Sequence, residues 1–155
     1  MAYGKGWDIP LKNINVPEWV IAALAEIGET EIAGPGVNVR IGEYLETVGQ
    51  MKDDAIPWCA AFVQCMLAEA GIFGTGEANA QSYLQWGDEC KERLGAVAVF
   101  KRGTEPWQGH VCFLLDWDKD WLICLGGNQS DRVKISLYER DKLMGLRWPK
   151  IGATT

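Results

Sequence analysis

Cysteine and histidine are the residue types of this sequence whose positions suggest chemistry by a thiol and an imidazole. There is one histidine, His110, and the cysteines are Cys59, Cys65, Cys90, Cys112 and Cys124. An odd number of cysteines precludes a complete disulfide set, and none of them forms the CxxC pair of a zinc knuckle. Most of these thiols are expected to be buried and free, and any reaction that needs an imidazole has to use His110. The sequence predicts no metal site and no cofactor.

Cys59 lies where a thiol can become reactive. In PWCAAFV, Pro57 disfavours helix at the residue before it, so the apolar helix that follows is predicted to begin at or near Cys59. A thiol in the first turn lies near the positive end of the helix dipole and near unsatisfied backbone N–H groups. Both favour the thiolate, which is the nucleophilic form. Placement alone leaves open the alternative that Cys59 is a small buried residue at a helix start.

His110 begins the predicted strand HVCFLLD, which is followed by the predicted strand WLICLG and then GGNQS. If a five-residue loop joins the strands, Asp116 pairs with Leu122, and His110 lies opposite Asn128 on the same face of the hairpin. The amide of Asn128 would then orient the imidazole towards the thiol. A four-residue loop would place the two side chains on opposite faces. The alternative role for Asn128 is that of a turn residue.

The elements that must position these residues change type once along the chain. Helical periodicity runs through PEWVIAALAEIGE and through VRIGEYLETVG, which Asn38 can cap. The inward positions are predicted to be Val20, Leu24 and Ile27 in the first helix, and Ile41, Leu45 and Val48 in the second. A third helix, CAAFVQCMLAEAG, is apolar over most of its surface and is predicted to be the buried central helix. A short helix, ANAQSYLQWG, follows it.

After Gly87 the periodicity is that of β-strands. The predicted strands are GAVAVF (95–100), HVCFLLD (110–116), WLICLG (121–126), RVKISLYE (132–139) and GLRWP (145–149). Helices followed by strands predict an α+β fold in which an antiparallel sheet packs on the helices. We expect one domain over residues 1–155, with an irregular lead-in at 1–16 and a core at about 17–150.

Composition excludes several classes of protein. A hydrophobic content of 48% excludes a disordered chain, and a net charge of −6 argues against nucleic acid or anionic membranes as partners. No apolar run approaches the roughly 20 residues of a membrane span. The N-terminal MAYGKGWDIP lacks the apolar core of a signal peptide, so we expect the chain to be made and to fold in the cytoplasm.

Four segments occur in the order found in a known family: WCAAFVQCMLAEAGIFGTG, GAVAVFKRG, GHVCFLL and LGGNQSDRVKIS. With them the chain resembles the CHAP (cysteine, histidine-dependent amidohydrolase/peptidase) group of peptidoglycan hydrolases, from about Glu26 to Ile135. CHAP domains have a papain-like α+β fold related to NlpC-type cell-wall peptidases. More narrowly, the chain is similar to the single-domain branch found in phage lysis genes and prophages.

The resemblance implies a catalytic role for three residues. Cys59 would be the nucleophile, His110 the general base and Asn128 the orienting residue. The third residue varies among Asn, Asp, Glu and Gln in the family, so Gln129 and Asp131 are alternatives. Tryptophans are expected to bind substrate at the cleft: Trp58, beside the nucleophile, and also Trp107 and Trp86.

The resemblance also implies a substrate and a setting. The substrate would be an amide in the peptide part of peptidoglycan, cut by an endopeptidase or an N-acetylmuramoyl-L-alanine amidase. The setting would be a monomeric phage endolysin, made in the host cytoplasm and reaching the wall through a holin-type pore, a virion or a secretion apparatus. Alternatives are an interbacterial toxin with this activity, a cysteine deamidase or protease acting on protein, and a non-catalytic wall-binding module.

Overall fold

Helices precede an antiparallel sheet in the computed structural model, which describes residues 15–33, 36–50 and 57–150. The α-helices are α1 (Glu18–Leu24), α2 (Val39–Glu46) and α3 (Cys59–Glu69). The strands are β1 (Asp88–Glu89), β2 (Val97–Lys101), β3 (Gly109–Trp117), β4 (Trp121–Gly126), β5 (Lys134–Glu139) and β6 (Leu143–Trp148). The predicted α+β class is confirmed. Residues 1–14 of the predicted lead-in lie outside the described residues.

The six strands form one sheet in the order β1-β6-β2-β3-β4-β5, and neighbouring strands are antiparallel. Alternate residues point to opposite faces, so one set of side chains packs on the helices. This set contains Val97, Val99, Val111, Phe113 and Leu125. The other face has its own buried cluster, which contains Ala98, Phe100, Cys112, Leu114, Leu122 and Cys124. The sheet is therefore buried on both faces near its centre.

Helix α3 is the central helix, as predicted. Every residue from Cys59 to Leu67 except Gln64 is buried. The helix ends before Gly71, whose φ of 78° is the left-handed conformation that a C-terminal cap requires. Helix α2 also agrees with the sequence, because Asn38 caps it by accepting hydrogen bonds from the backbone N–H groups of Arg40 and Ile41. Because α3 is held on all sides, its first residue has a defined position.

Helix α1 departs from the prediction. It stops at Leu24, and Leu24 and Ile27 are exposed, so the predicted inward stripe through them is wrong. Trp19, Val20 and Ala23 are the buried residues instead. The reason is tertiary: the indole N–H of Trp19 donates to the carbonyl of Gly95 at 2.8 Å, and this contact sets the rotation of the helix.

The β3–β4 hairpin also differs from the prediction near its loop. Trp117 pairs with Leu122 and Asp116 with Ile123, so the predicted pairing of Asp116 with Leu122 is wrong. An irregularity between Leu114 and Asp116 then takes up one residue. Beyond it, Leu114 pairs with Cys124, which is the register that the sequence predicted. The end of the hairpin nearest His110 therefore has the expected alignment.

None of the described helices has the length and apolar character needed to cross a membrane.

Candidate active site

Cys59 is the first residue of α3 and opens into a cleft. The residue before it, Trp58, is the N-cap, and its side chain makes no capping hydrogen bond. The N-cap side chain therefore does not occupy the backbone N–H groups of the first turn. Only 3% of Cys59 is exposed. The cleft on its side has a volume of about 310 Å³ and is also lined by Asn79, Arg102 and Trp107. A small ligand in this cleft reaches the thiol directly.

His110 approaches Cys59 from the start of β3, across 51 residues of sequence. It pairs with Phe100 of β2 and is 5% exposed. Burial raises the pKa of the Cys59 thiol, but the charge of His110, a hydrogen bond with its side chain and one with the backbone N–H of Val111 lower it. The charge of Arg102 acts in the same direction. The lowering contributions prevail, so the pKa of Cys59 lies below its ordinary value and the thiolate is favoured.

The third residue of the site is Gln129, not Asn128. The Nε2 atom of His110 and the Oε1 atom of Gln129 are 2.9 Å apart, and Gln129 is buried. The predicted pairing of His110 with Asn128 is therefore corrected, in favour of one of the two alternatives. Asp131, the other alternative, is exposed, and its backbone carbonyl accepts from the N–H of Glu31.

The surroundings of Gln129 determine the tautomer of His110. The Nε2 group of Gln129 donates to the carbonyl of Lys134 at 2.6 Å, so the amide oxygen has to face the imidazole. An amide oxygen can only accept a hydrogen bond, so Nε2 of His110 is the donor and carries the proton. In the neutral ring this leaves Nδ1 unprotonated, as the nitrogen that can take a proton from Cys59.

Backbone geometry explains the exchange of Asn128 for Gln129. Strand β4 ends at Gly126, and Asn128, Ser130 and Asp131 all have left-handed φ angles, of 57°, 53° and 62°. The regular alternation of side chains stops where the strand stops, so the hairpin register does not extend to Asn128. The N–H of Gln129 instead donates to the carbonyl of Arg132 at 3.0 Å. This loop turns Gln129 towards the imidazole.

Two glycines allow the chain at the end of β4 to lie close to β3, to Gln129 and to the start of α3. A Cβ atom on Gly126 would lie 2.7 Å from the Cβ of Cys112 and 2.8 Å from Oε1 of Gln129. A Cβ atom on Gly127 would lie 2.6 Å from the Trp58 ring and 2.8 Å from the Cβ of Phe62. Side chains at these positions would therefore displace the amide or the helix.

A second, larger cleft lies on the histidine side. It has a volume of about 860 Å³ and is lined by polar and charged residues together with His110 and Tyr138. Arg102 lines both clefts. A substrate that lies across the thiol and the imidazole therefore has a cleft for each of its two parts.

The tryptophans divide between cleft and core. Trp107 is 65% exposed and lines the Cys59 cleft, where it was predicted. Trp58 is fully buried: its indole N–H donates to Glu31 and its ring stacks on Tyr44, so its predicted place in the cleft is wrong. Trp86 packs against Tyr83 and donates to the carbonyl of Phe73, and neither of the two clefts includes it.

The other cysteines lack the environment of Cys59. All five thiols are free. Burial, together with Glu69, raises the pKa of Cys65 to about 12. Burial also raises the pKa of Cys90 and of Cys112, the latter together with its neighbour Cys124. Within residues 15–33, 36–50 and 57–150, no group of three or more His, Cys, Asp or Glu side chains is placed to hold a metal ion.

Sequence reasoning missed two residues of the site, Arg102 and Tyr138. Arg102 directly follows β2, the strand paired with β3, and this adjacency was the only signal available for it. Tyr138 gave no signal, because it alternates with its neighbours in β5 like any strand residue.

The fold and the site together define a class. A thiol at the start of a buried helix, an imidazole on the adjoining antiparallel sheet and an amide on that imidazole make up the arrangement of a papain-like α+β fold. A crystal structure described as "similar to lipoprotein, NLP/P60 family", from Staphylococcus aureus subsp. aureus Mu50, matches this chain with a TM-score of 0.51 at 17% sequence identity.

That match covers 84% of this chain but 39% of the solved one, so this chain spans well under half the length of that protein. At 17% identity the likeness concerns the fold, which is that of the NLP/P60 structure. No protein-family model matches the sequence. No curated protein matches it.

Proposed function

We propose that this protein is a cysteine hydrolase that cleaves an amide bond in the peptide part of peptidoglycan. The observation that carries the proposal is the buried Cys59 thiol, whose pKa is lowered mainly by His110, with the tautomer of His110 determined by Gln129. A nucleophile, a base and an orienting amide that open into clefts are the requirements of acyl transfer through a covalent intermediate.

The geometry supports the following first half-reaction. The Cys59 thiolate attacks the amide carbonyl and forms a C–S bond, while the carbonyl oxygen becomes an oxyanion. Backbone N–H groups at the start of α3, with that of Cys59 foremost, are placed to stabilise this charge. The imidazolium of His110 then protonates the leaving nitrogen, and the C–N bond breaks.

The second half-reaction restores the enzyme. His110, now neutral, takes a proton from water, and the hydroxide attacks the thioester. The C–S bond breaks, and a carboxylic acid and the thiolate are released. Since His110 protonates the amine product, that part of the substrate occupies the cleft on the histidine side. The acyl part occupies the cleft lined by Cys59 and Trp107.

The choice of peptidoglycan is supported by the CHAP-type motifs and by the cell-wall-peptidase-like fold. The motifs resemble the phage branch of that family, so the proposed setting is a phage endolysin that lyses the host cell. In this setting the enzyme is made in the host cytoplasm and acts on the wall after release. An acidic chain has no general electrostatic attraction to an anionic envelope, and contacts in the clefts are proposed to contribute to its affinity for the wall.

The test is zymography on purified peptidoglycan with two matched variants, followed by mass analysis of released fragments. Cys59→Ala is expected to abolish hydrolysis and retain the fold. Cys65→Ala, the same change further along the same helix, is expected to retain activity. A new muramic acid terminus identifies an amidase, and a new amino group within the stem or cross-link identifies an endopeptidase.

Three results would contradict the proposal. Hydrolysis that persists in Cys59→Ala would exclude Cys59 as nucleophile. Binding to peptidoglycan without hydrolysis would indicate a wall-binding module. Deamidation or cleavage of host proteins, with peptidoglycan intact, would indicate an enzyme that acts on protein.

A further inference from the structure

Three stacked rings, those of Phe100, Tyr138 and His110, lie beside the candidate site. The rings of Phe100 and Tyr138 have centroids 4.8 Å apart and planes 24° apart. The rings of Tyr138 and His110 have centroids 5.2 Å apart and planes 25° apart. Tyr138 is thus stacked with Phe100 and with the imidazole, and it lines the cleft on the histidine side. None of the chemistry described above uses this tyrosine.

The stack joins strands that are not neighbours. His110 lies on β3 and Tyr138 on β5, and β4 separates the two in the sheet. The link from β5 to β6 is only the three residues Arg140–Lys142, after which Leu143 pairs with Phe100. This short link brings the end of β5 to the end of β2. Since Phe100 also pairs with His110, the ring of Tyr138 reaches the imidazole.

We propose that Tyr138 is a positioning residue for His110, whose ring plane it sets so that Nδ1 faces the Cys59 thiol. The inference rests on the proposed role of His110 as general base. The χ2 torsion of a histidine is broad, and the hydrogen bonds to Gln129 and Cys59 leave the imidazole free to rock about the axis that joins them. A stacked ring restricts this motion, because rocking tilts the imidazole out of its plane and into the tyrosine.

The chemistry of a phenol ring suits this position. The face of an aromatic ring attracts a cation, so Tyr138 favours the imidazolium that forms during the reaction. Burial raises the pKa of Tyr138, and its hydroxyl therefore remains neutral and does not exchange a proton with His110. It follows that the ring carries the function and that the hydroxyl is dispensable.

The experiment compares Tyr138→Phe, which keeps the ring, with Tyr138→Leu, which removes it. Leu146→Ala is the matched control, because Leu146 belongs to the same buried cluster on this face and lies outside the ring stack. Since the chain has one histidine, nitrogen-15 NMR of histidine-labelled protein reports on this ring alone. At a pH at which the imidazole is neutral, the wild type, Tyr138→Phe and Leu146→Ala are expected to give the sharp signals of a single tautomer protonated at Nε2.

Tyr138→Leu is expected to keep the Nε2-protonated tautomer, because Gln129 determines it, but to broaden the imidazole signals through motion of the ring and to lower kcat roughly tenfold. Tyr138→Phe is expected to keep sharp signals and a kcat within about twofold of the wild type. If Tyr138→Leu does not fold, Tyr138→Met replaces it and keeps more of the volume. A Leu or Met variant whose imidazole signals are as sharp as those of the wild type would overturn the proposal, as would a Phe variant as impaired as Leu. The NMR readout needs no substrate, so it stands whether or not peptidoglycan is cleaved.

Discussion

At the scale of single residues, His110 and Gln129 are expected to contribute unequally to kcat, although they act together. His110→Ala removes the one imidazole of the chain and is expected to lower kcat by about 10²–10⁴-fold. Gln129→Ala is expected to cost less, because it removes the orientation of the ring and leaves the base in place. The double variant should be little worse than His110→Ala alone, since the two residues act together. Steady-state kinetics of the three variants measure these effects.

The control for this series is Asn128→Gly. It removes the amide of Asn128 but retains a residue that adopts the left-handed φ of 57° without strain. Its kcat is expected to stay close to that of the wild type. A larger loss in Asn128→Gly than in Gln129→Ala would mean that Asn128, and not Gln129, orients the base during catalysis.

The pH dependence of Cys59 reactivity follows from the causes of its pKa. Burial is the largest influence and raises the pKa, whereas the contributions of His110 lower it. His110→Ala removes the contributions of His110, so the pKa of Cys59 is expected to rise. The rate of alkylation by iodoacetamide should therefore reach half its plateau at a higher pH in His110→Ala than in the wild type.

Peptide mapping gives the control for the alkylation experiment. In the wild type near neutral pH, Cys59 is expected to be labelled before Cys65, whose pKa of about 12 keeps it protonated. Cys90 is the most accessible competitor, but burial raises the pKa of its thiol as well. Labelling led by Cys65 or Cys90, with hydrolysis retained, would exclude Cys59 as the reactive thiol.

At the scale of elements, the two glycines at the end of β4 contact different parts of the molecule. In Gly126→Ala the new methyl group meets Oε1 of Gln129 and the Cβ of buried Cys112, so activity is expected to fall together with stability. In Gly127→Ala it meets Trp58 and Phe62 of the α3 region, so the free energy of unfolding is expected to fall by about 1–3 kcal/mol through overpacking. Thermal unfolding and kcat, measured on both variants, distinguish displacement of an amide from displacement of a helix.

Either of two results would contradict these assignments for Gly126 and Gly127. If Gly126→Ala retained full activity, the position of Gln129 would not be critical for turnover. If Gly127→Ala retained full stability, α3 would tolerate movement at its start. The pair thus tests whether the sharp turn after β4 serves the site, the packing or both.

At the scale of the whole molecule, catalysis is expected to need no metal. The thiolate supplies the nucleophile, and a chain with one histidine cannot build a histidine-rich zinc site. Activity should therefore survive EDTA and be lost to thiol reagents. Peptidoglycan lysis that EDTA stops and iodoacetamide does not affect would mean that the chemistry is not that of Cys59.

The sequence by itself determined those features that depend on neighbours along the chain. The start of α3 at Cys59 followed from Pro57 and from apolar residues at helical spacing, and the cap of α2 from Asn38. Five of the six strands followed from alternation and from turn residues. The sixth, β1, is two residues long and too short to show a period. The order of helices and strands was enough to predict the α+β class.

Only the tertiary structure decided which side chains meet at the site. Three left-handed residues after β4 exchanged Asn128 for Gln129, and they leave no periodic trace in the sequence. Tyr138 reaches His110 through a three-residue link that closes one end of the sheet, and Trp58 is buried by contacts from distant segments. Periodicity reports which face a residue occupies, whereas the partner on that face depends on where distant segments of the chain come together in space.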